Sequence, residues 1–166
     1  IIQSRGWEIY PQGLYDFGMD CAKNYPDLEW FVSENGIGIM DEYKNRDAEG
    51  TIQDDYRVDF VRQHLEWVAK AIDEGAKCRG YHYWAVIDNW SWANAFKNRY
   101  GFVEVDLMDG YKRRLKKSAA WLKQVGIVPV IEKVIVQQGP AQQRSTVDRN
   151  ASTAQALGKG QARPRY

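Results

Sequence analysis

The sequence predicts an α/β fold, and one piece of a larger parallel structure rather than a closed domain. Segments with a helical apolar period alternate with short, bulky apolar runs in the order helix, strand, long helix, strand, helix. The apolar runs are nearly continuous, as expected of parallel strands that crossover helices cover on both faces. Only two such runs occur, too few to close a barrel or to build a wide sheet.

Leu14, Phe17, Cys21 and Ala22 recur at helical spacing, so the first helix is expected from about Pro11 to Asn24, with Pro11 near its start. Pro26-Asp27 closes it, and LEWFVSE reads as a buried strand. Residues 36–50 form a polar loop without a clear period. A long helix is expected from about Asp54 to Glu74. Val61, Leu65, Val68 and Ile72 form its apolar stripe, Asp54 and Asp55 favour its N-terminus, and Gly75 lies just past its end. CRGYHYWAVIDNW, rich in aromatic and β-branched residues, is the second buried strand. GFVEVDL alternates as a shorter strand, and a last helix is expected over about 112–125.

Composition bounds the rest. A chain of 166 residues suits one domain with a tail. No apolar run is long enough to span a bilayer, so no membrane partner is expected. Cys21 and Cys78 form no metal or redox motif and read as buried reduced thiols. His64 and His82 have no metal-ligand spacing and read as structural. The net charge is +1, but five basic residues against Asp148 fall in residues 139–166, which carry +4 and leave about −3 for the remainder. All seven tryptophans lie between Trp7 and Trp121. Residues 126–166 therefore read as a separate extension, polar, basic and poor in aromatics, which is a signature of disorder. No interleaved aromatics or RNA motif mark it as a nucleic-acid tail. A division into 1–125 and 126–166 follows.

One stretch does not fit simple strand chemistry. WFVSENG ends an apolar run on Glu34, although an ionised carboxylate in apolar surroundings is costly unless paired. Asn35-Gly36 is ordinary turn chemistry, since both tolerate positive φ. Glu34 either marks where the strand meets water or is a reactive carboxylate held at a strand end.

GWEIYPQGLYD, FVSENGIG, the stretch from Asp55 to Leu107 and KRRLKKSAAWLKQV closely resemble, in order and spacing, the C-terminal third of glycoside hydrolase family 1. The resemblance runs from about Gly6 to Val125. It implies a C-terminal part of a TIM (β/α)8 barrel, strands 7 and 8 with flanking helices, belonging to a retaining β-glycosidase. Glu34 matches the family's nucleophile, at the C-terminal end of the seventh strand, where catalytic groups of such barrels sit. The implied chemistry is attack of the carboxylate on the anomeric carbon, then release of the sugar by water. The family's acid/base Glu lies in an Asn-Glu-Pro motif, which this sequence lacks. Trp84 and Trp92 match tryptophans that stack on the sugar. No cofactor and no metal are implied.

The resemblance also bears on substrate. Ordinary β-glucosidases of the family carry a Glu where Ser91 stands, gripping hydroxyls at C4 and C6. A Glu there would repel a phosphate on C6, whereas a Ser removes the charge and offers a donor. The 6-phospho-β-glycosidase branch uses a Ser, a Lys and a Tyr. Ser91 and Tyr100 match, and Lys97 is taken as the cation, although Asn98 occupies the matching position and Lys97 precedes it by one. Expected substrates are 6-phospho-β-glucosides or 6-phospho-β-galactosides. A plain β-glucosidase and an inert barrel fragment are the alternatives. Phosphorylation on import and the absence of a secretory pattern imply a cytoplasmic location. Strands with an unpaired edge predict self-association of the isolated chain, with the N-terminal barrel part as its natural partner.

Overall fold

The computed structural model describes residues 6–125. The expectations for the extension lie outside the described residues. Helix α1 (Gln12–Asn24) leads into strand β1 (Trp30–Asn35), followed by a short β2 (Ile39–Met40) and a 3-10 turn at Glu42–Asn45. Helix α2 (Asp55–Asp73) carries the chain back to β3 (Cys78–Tyr83). Then come β4 (Asn98–Arg99), β5 (Val103–Asp106), β6 (Lys112–Leu115) and α3 (Lys117–Gln124).

The centre is a β-α-β unit. β1 and β3 pair in parallel, Trp30 against Cys78 and Asn35 against Tyr83, with irregular steps in the register between. Parallel neighbours need a long crossover, and α2 supplies it. β2 pairs antiparallel with β4, and β5 antiparallel with β6. α1 packs on α2 through Gly18, where an added Cβ would lie 3.0 Å from the Trp30 ring and 3.2 Å from the Ala71 Cβ. One apolar core gathers Cys21, Trp30, Val32, Ala71 and Ala76 between α1, α2 and the strands. A second gathers Phe60, Val61, Phe102, Val103 and Leu122 between α2, α3 and β5.

Several expectations are corrected. β1 is not buried on both faces: Trp30 and Val32 face the helices, while Phe31 and Ser33 are exposed, because no described element covers the other face. The second strand stops at Tyr83, and residues 84–97 run as irregular chain. The buried face of α2 runs through Arg57, Phe60, Val61, His64, Val68 and Ala71, so Ile72 falls beside it and is 46% exposed. Phe17 is likewise exposed, set edge-on to Trp30 at 5.2 Å between ring centroids. The loop at 36–50 contains β2 and the 3-10 turn.

The largest difference is at 112–125, where a strand precedes the helix. Gly110 and Tyr111 turn the chain with φ of 58° and 60°. The Asp106 carboxylate accepts the amides of Met108 and Asp109 at 3.0 and 3.2 Å. The basic run then meets acids across the hairpin: Arg114 pairs with Asp106 and Asp109, and Lys112 with Asp109 at 2.9 Å. Cross-strand charge pairing of this kind favours the ladder over a helical turn.

A network of buried charges joins these elements. Arg57, fully buried at the start of α2, donates from Nε to Asp54 at 2.8 Å and from Nη2 to Glu42. Its Nη1 donates to the Ile37 and Tyr100 carbonyls at 3.0 and 2.9 Å and to the Tyr83 hydroxyl at 2.8 Å. Lys116 donates to Glu42 and, at 2.9 Å, to Asp88. Asp54 is no simple helix cap, since it also accepts the Ser118 amide at 2.8 Å and the Ser118 hydroxyl. Burial would pull the Arg57 guanidinium down, but Tyr83, Glu42 and Asp54 outweigh it and hold Arg57 above its ordinary value.

Candidate active site

Because β1 and β3 are parallel, their C-terminal ends lie on one side, and a cleft of about 530 Å³ opens there. Glu34 and Asn35, the last residues of β1, form part of its wall. Asn35 is fixed from two directions. Its carbonyl accepts the Trp84 amide at 3.0 Å, and its side-chain oxygen accepts the Tyr81 hydroxyl. That lashes the strand end bearing Glu34 to the end of β3.

The structure brings Trp84, Ser91, Trp92 and Tyr100 into the same cleft as Glu34. Trp84 follows β3 directly and is 42% exposed, while Trp92 is 94% exposed at the rim and meets Trp90 edge-on at 5.7 Å. A tight loop presents Ser91, which exchanges backbone hydrogen bonds with Ala95 at 3.0 and 2.9 Å. Tyr100 is buried, its carbonyl held by Arg57 and by the Tyr83 hydroxyl at 3.0 Å.

Lys97 is not with them. It lines a separate hollow with Arg99, Asp41 and Glu104. Alternation along extended chain accounts for this: Lys97 and Arg99 line one hollow, and Tyr100 turns to the other. A single-residue offset therefore changes the face.

Gly36 serves the site differently from a turn glycine. Its φ is not in the left-handed region, and an added Cβ would lie 1.8 Å from the Trp84 carbonyl oxygen. At Gly38 the corresponding Cβ would lie 2.5 Å from the Tyr100 ring. These two glycines let the chain after Glu34 pass against Trp84 and Tyr100. Gly36→Ala is expected to cost about 1–3 kcal/mol, the usual scale of overpacking, and to displace Trp84. A lowered melting temperature together with a shifted tryptophan emission maximum would check both effects.

Sequence reasoning did not single out Trp7, Glu8, Tyr10, Phe60 or Asn89, which also line the cleft. Glu8 adds a second carboxylate there. Asn35 and Trp90 are neighbours of motif residues, and Trp7, Glu8 and Tyr10 fall within GWEIYPQGLYD, a stretch that marks the family without marking a place in the cleft. His64 also borders the cleft, packed on Phe60 with Nδ1 2.7 Å from the Phe60 carbonyl oxygen, and burial lowers its pKa, favouring the neutral ring. Among the described residues lining the cleft there is no Lys or Arg.

Residues 2–128 match the family model described as glycosyl hydrolase family 1. The chain belongs to that family. Among its relatives, the 6-phospho-beta-glucosidase GmuD of Bacillus subtilis (strain 168) is 52% identical over 121 residues, 73% of this chain and 26% of that protein. A 6-phospho-beta-galactosidase of Staphylococcus aureus (strain JH9) is 45% identical over 120 residues, 72% of this chain and 25% of its own length. The chain thus spans about a quarter of the relatives it matches. A solved family 1 β-glucosidase of Thermotoga maritima superimposes with a TM-score of 0.69 at 32% identity, over 76% of this chain and 28% of that one. The family 1 chain is accordingly an α/β unit matching part of a TIM barrel enzyme. Among the described residues no helix is long and apolar enough to cross a membrane.

Proposed function

We propose that the chain contributes the nucleophile-bearing part of a retaining β-glycosidase acting on 6-phospho-β-glucosides or 6-phospho-β-galactosides. β1 and β3 are then the seventh and eighth strands of the barrel. The observation that carries this reading is the meeting of Glu34, Trp84, Ser91, Trp92 and Tyr100 in one cleft at the C-terminal ends of parallel strands. The phosphorylated substrates named for the relatives support the choice of sugar.

In this reading Glu34 attacks the anomeric carbon while the glycosidic oxygen leaves, and water later displaces the carboxylate. Trp84 and Trp92 offer aromatic faces to the sugar ring, and the Ser91 and Tyr100 hydroxyls face its C6 end. Asn35, clamped by Tyr81 and Trp84, keeps the Glu34 backbone in place. Retaining hydrolysis needs a second carboxyl group about 5–5.5 Å from the first to protonate the leaving oxygen. The family's Asn-Glu-Pro motif is absent from the sequence, which favours a second reading: the chain alone is inert and acts with a complementary barrel part in the same cytoplasmic enzyme. Self-association of the chain would follow, since β1 and β3 pair only with each other among the described residues.

Chromogenic β-glucosides and β-galactosides, each with and without a 6-phosphate, test the proposal on the full chain and on the chain with Glu8→Gln. Preference for the phosphorylated forms is expected wherever turnover is seen. Preference for the plain sugars would overturn the substrate assignment. Turnover lost in Glu8→Gln would make Glu8 the proton donor and remove the inert reading.

A further inference from the structure

We propose that the free edge of β3 is a docking edge for residues 127–135 of this chain, which add to the sheet as a third, parallel strand. The proposal does not rest on the sugar site. Among the described residues β3 pairs with β1 alone, so its other edge presents a row of backbone donors and acceptors to no strand. The stretch IVPVIEKVI, over 127–135, carries six Ile or Val in nine residues, a β-branched run unlike the polar chain that follows it.

The direction of α3 selects this edge. Its start lies beside the start of α2: Lys117 pairs with Asp55 at 2.7 Å, and the Ser118 amide donates to Asp54 at 2.8 Å. Ala119 and Leu122 then pack into one core with Phe60 and Val61, against Tyr81 and Tyr83 of β3. α3 therefore runs in the same sense as α2, on the same face of the sheet, back toward the end where β3 begins. A strand that follows it runs parallel to β3. β-α-β crossovers are right-handed in nearly all proteins, and α2 makes the first one here. A second of the same hand, with its helix on the same face, places the new strand beyond β3 and not against β1.

The chain is long enough. The eight residues of α3 advance about 12 Å, and four extended residues, 125–128, can add about 13 Å. Residues 129–135 are then seven against the six of β3. Pro129 falls at the first paired position, where a strand tolerates a missing donor, and Lys133 suits an outermost strand, where it opposes further pairing. The family match ends at residue 128, before the paired part begins. The outer edge of β1 stays open to self-association.

Amide hydrogen exchange of the full chain, read at single-residue level, tests this. The β3 amides that point away from β1 are expected to exchange about tenfold or more slowly than in the full chain carrying both Val130→Pro and Ile131→Pro. Adjacent amides point to opposite sides of a strand, so the pair removes a donor to β3 in either register. The α2 amides should stay protected in both, because neither position belongs to the two cores. Protection should not change between low and high micromolar chain concentration. Nuclear Overhauser contacts between residues 78–83 and 129–135 of the unmodified, isotope-labelled chain are the second expected result, and they need no variant. Absence of those contacts, or outward β3 amides as fast in the unmodified chain as in the variant, would overturn the proposal. Protection that grows with concentration would overturn it too and assign the edge to a second copy.

Discussion

Replacing Glu34 by Gln is expected to remove formation of the glycosyl-enzyme. The amide keeps the size of the side chain but is no nucleophile, and loss of the covalent step should lower turnover on the order of 10⁴-fold or more. The fold should persist, because Glu34 is exposed at the strand end and Asn35, rather than Glu34, is clamped by Tyr81 and Trp84. Steady-state rates on an activated 6-phospho-β-glycoside, beside a thermal melt, separate the two effects. Equal, measurable rates for Glu34→Gln and the parent would exclude Glu34 as nucleophile. A collapsed melt would make its role structural.

The largest effect on stability is expected at Arg57. Arg57→Met leaves Asp54 and Glu42 buried without the guanidinium that neutralises both, and takes a donor from the Ile37 and Tyr100 carbonyls. Breaking a buried pair on one side typically costs about 3–5 kcal/mol, a large part of the roughly 5–15 kcal/mol available to a domain. Arg62→Met is the control. Arg62 lies on the same helix but pairs with Asp59 and Glu66 at the surface, where the loss should stay below about 1 kcal/mol. Urea titrations of both variants check the contrast. Similar midpoints would mean that the buried network contributes little.

The parts of the fold legible in the sequence are those written in apolar pattern. Trp30 and Val32, the α2 face through Val61 and Val68, and the glycine after α2 follow from periodicity and backbone chemistry. Gly75, with φ of 107°, ends the helix as anticipated. The parts that were not legible depend on charges meeting across space. Lys112, Arg113 and Arg114 look like a helix start in sequence and become a strand because acids stand across the hairpin. Glu42, Asp54, Asp88 and Lys116 look like surface residues and are buried because they neutralise one another and Arg57.

The candidate site divides in the same way. A motif in linear order was enough to nominate Glu34, Trp84, Ser91, Trp92 and Tyr100, which line one cleft. It was not enough for Lys97, whose side chain faces the other hollow because extended chain alternates. Nor could it show that Gly36 is needed for a close approach to Trp84 rather than for positive φ. Glu8 lies within GWEIYPQGLYD, but its place in the cleft comes from packing of the segment before α1 and is not legible in linear order.

The central claim, that Glu34 is the nucleophile, is most directly tested by trapping. A 2,4-dinitrophenyl 2-deoxy-2-fluoro-β-glucoside 6-phosphate carries a leaving group that needs no protonation, so attack can proceed without an acid/base carboxyl group. Intact-mass and peptide-mass spectra of the treated chain would be compared with those of Glu34→Gln. One added fluorosugar phosphate on the peptide containing Glu34, absent in the variant, is the predicted result. An adduct on another residue, or an unmodified chain that still binds glucose 6-phosphate, would contradict it.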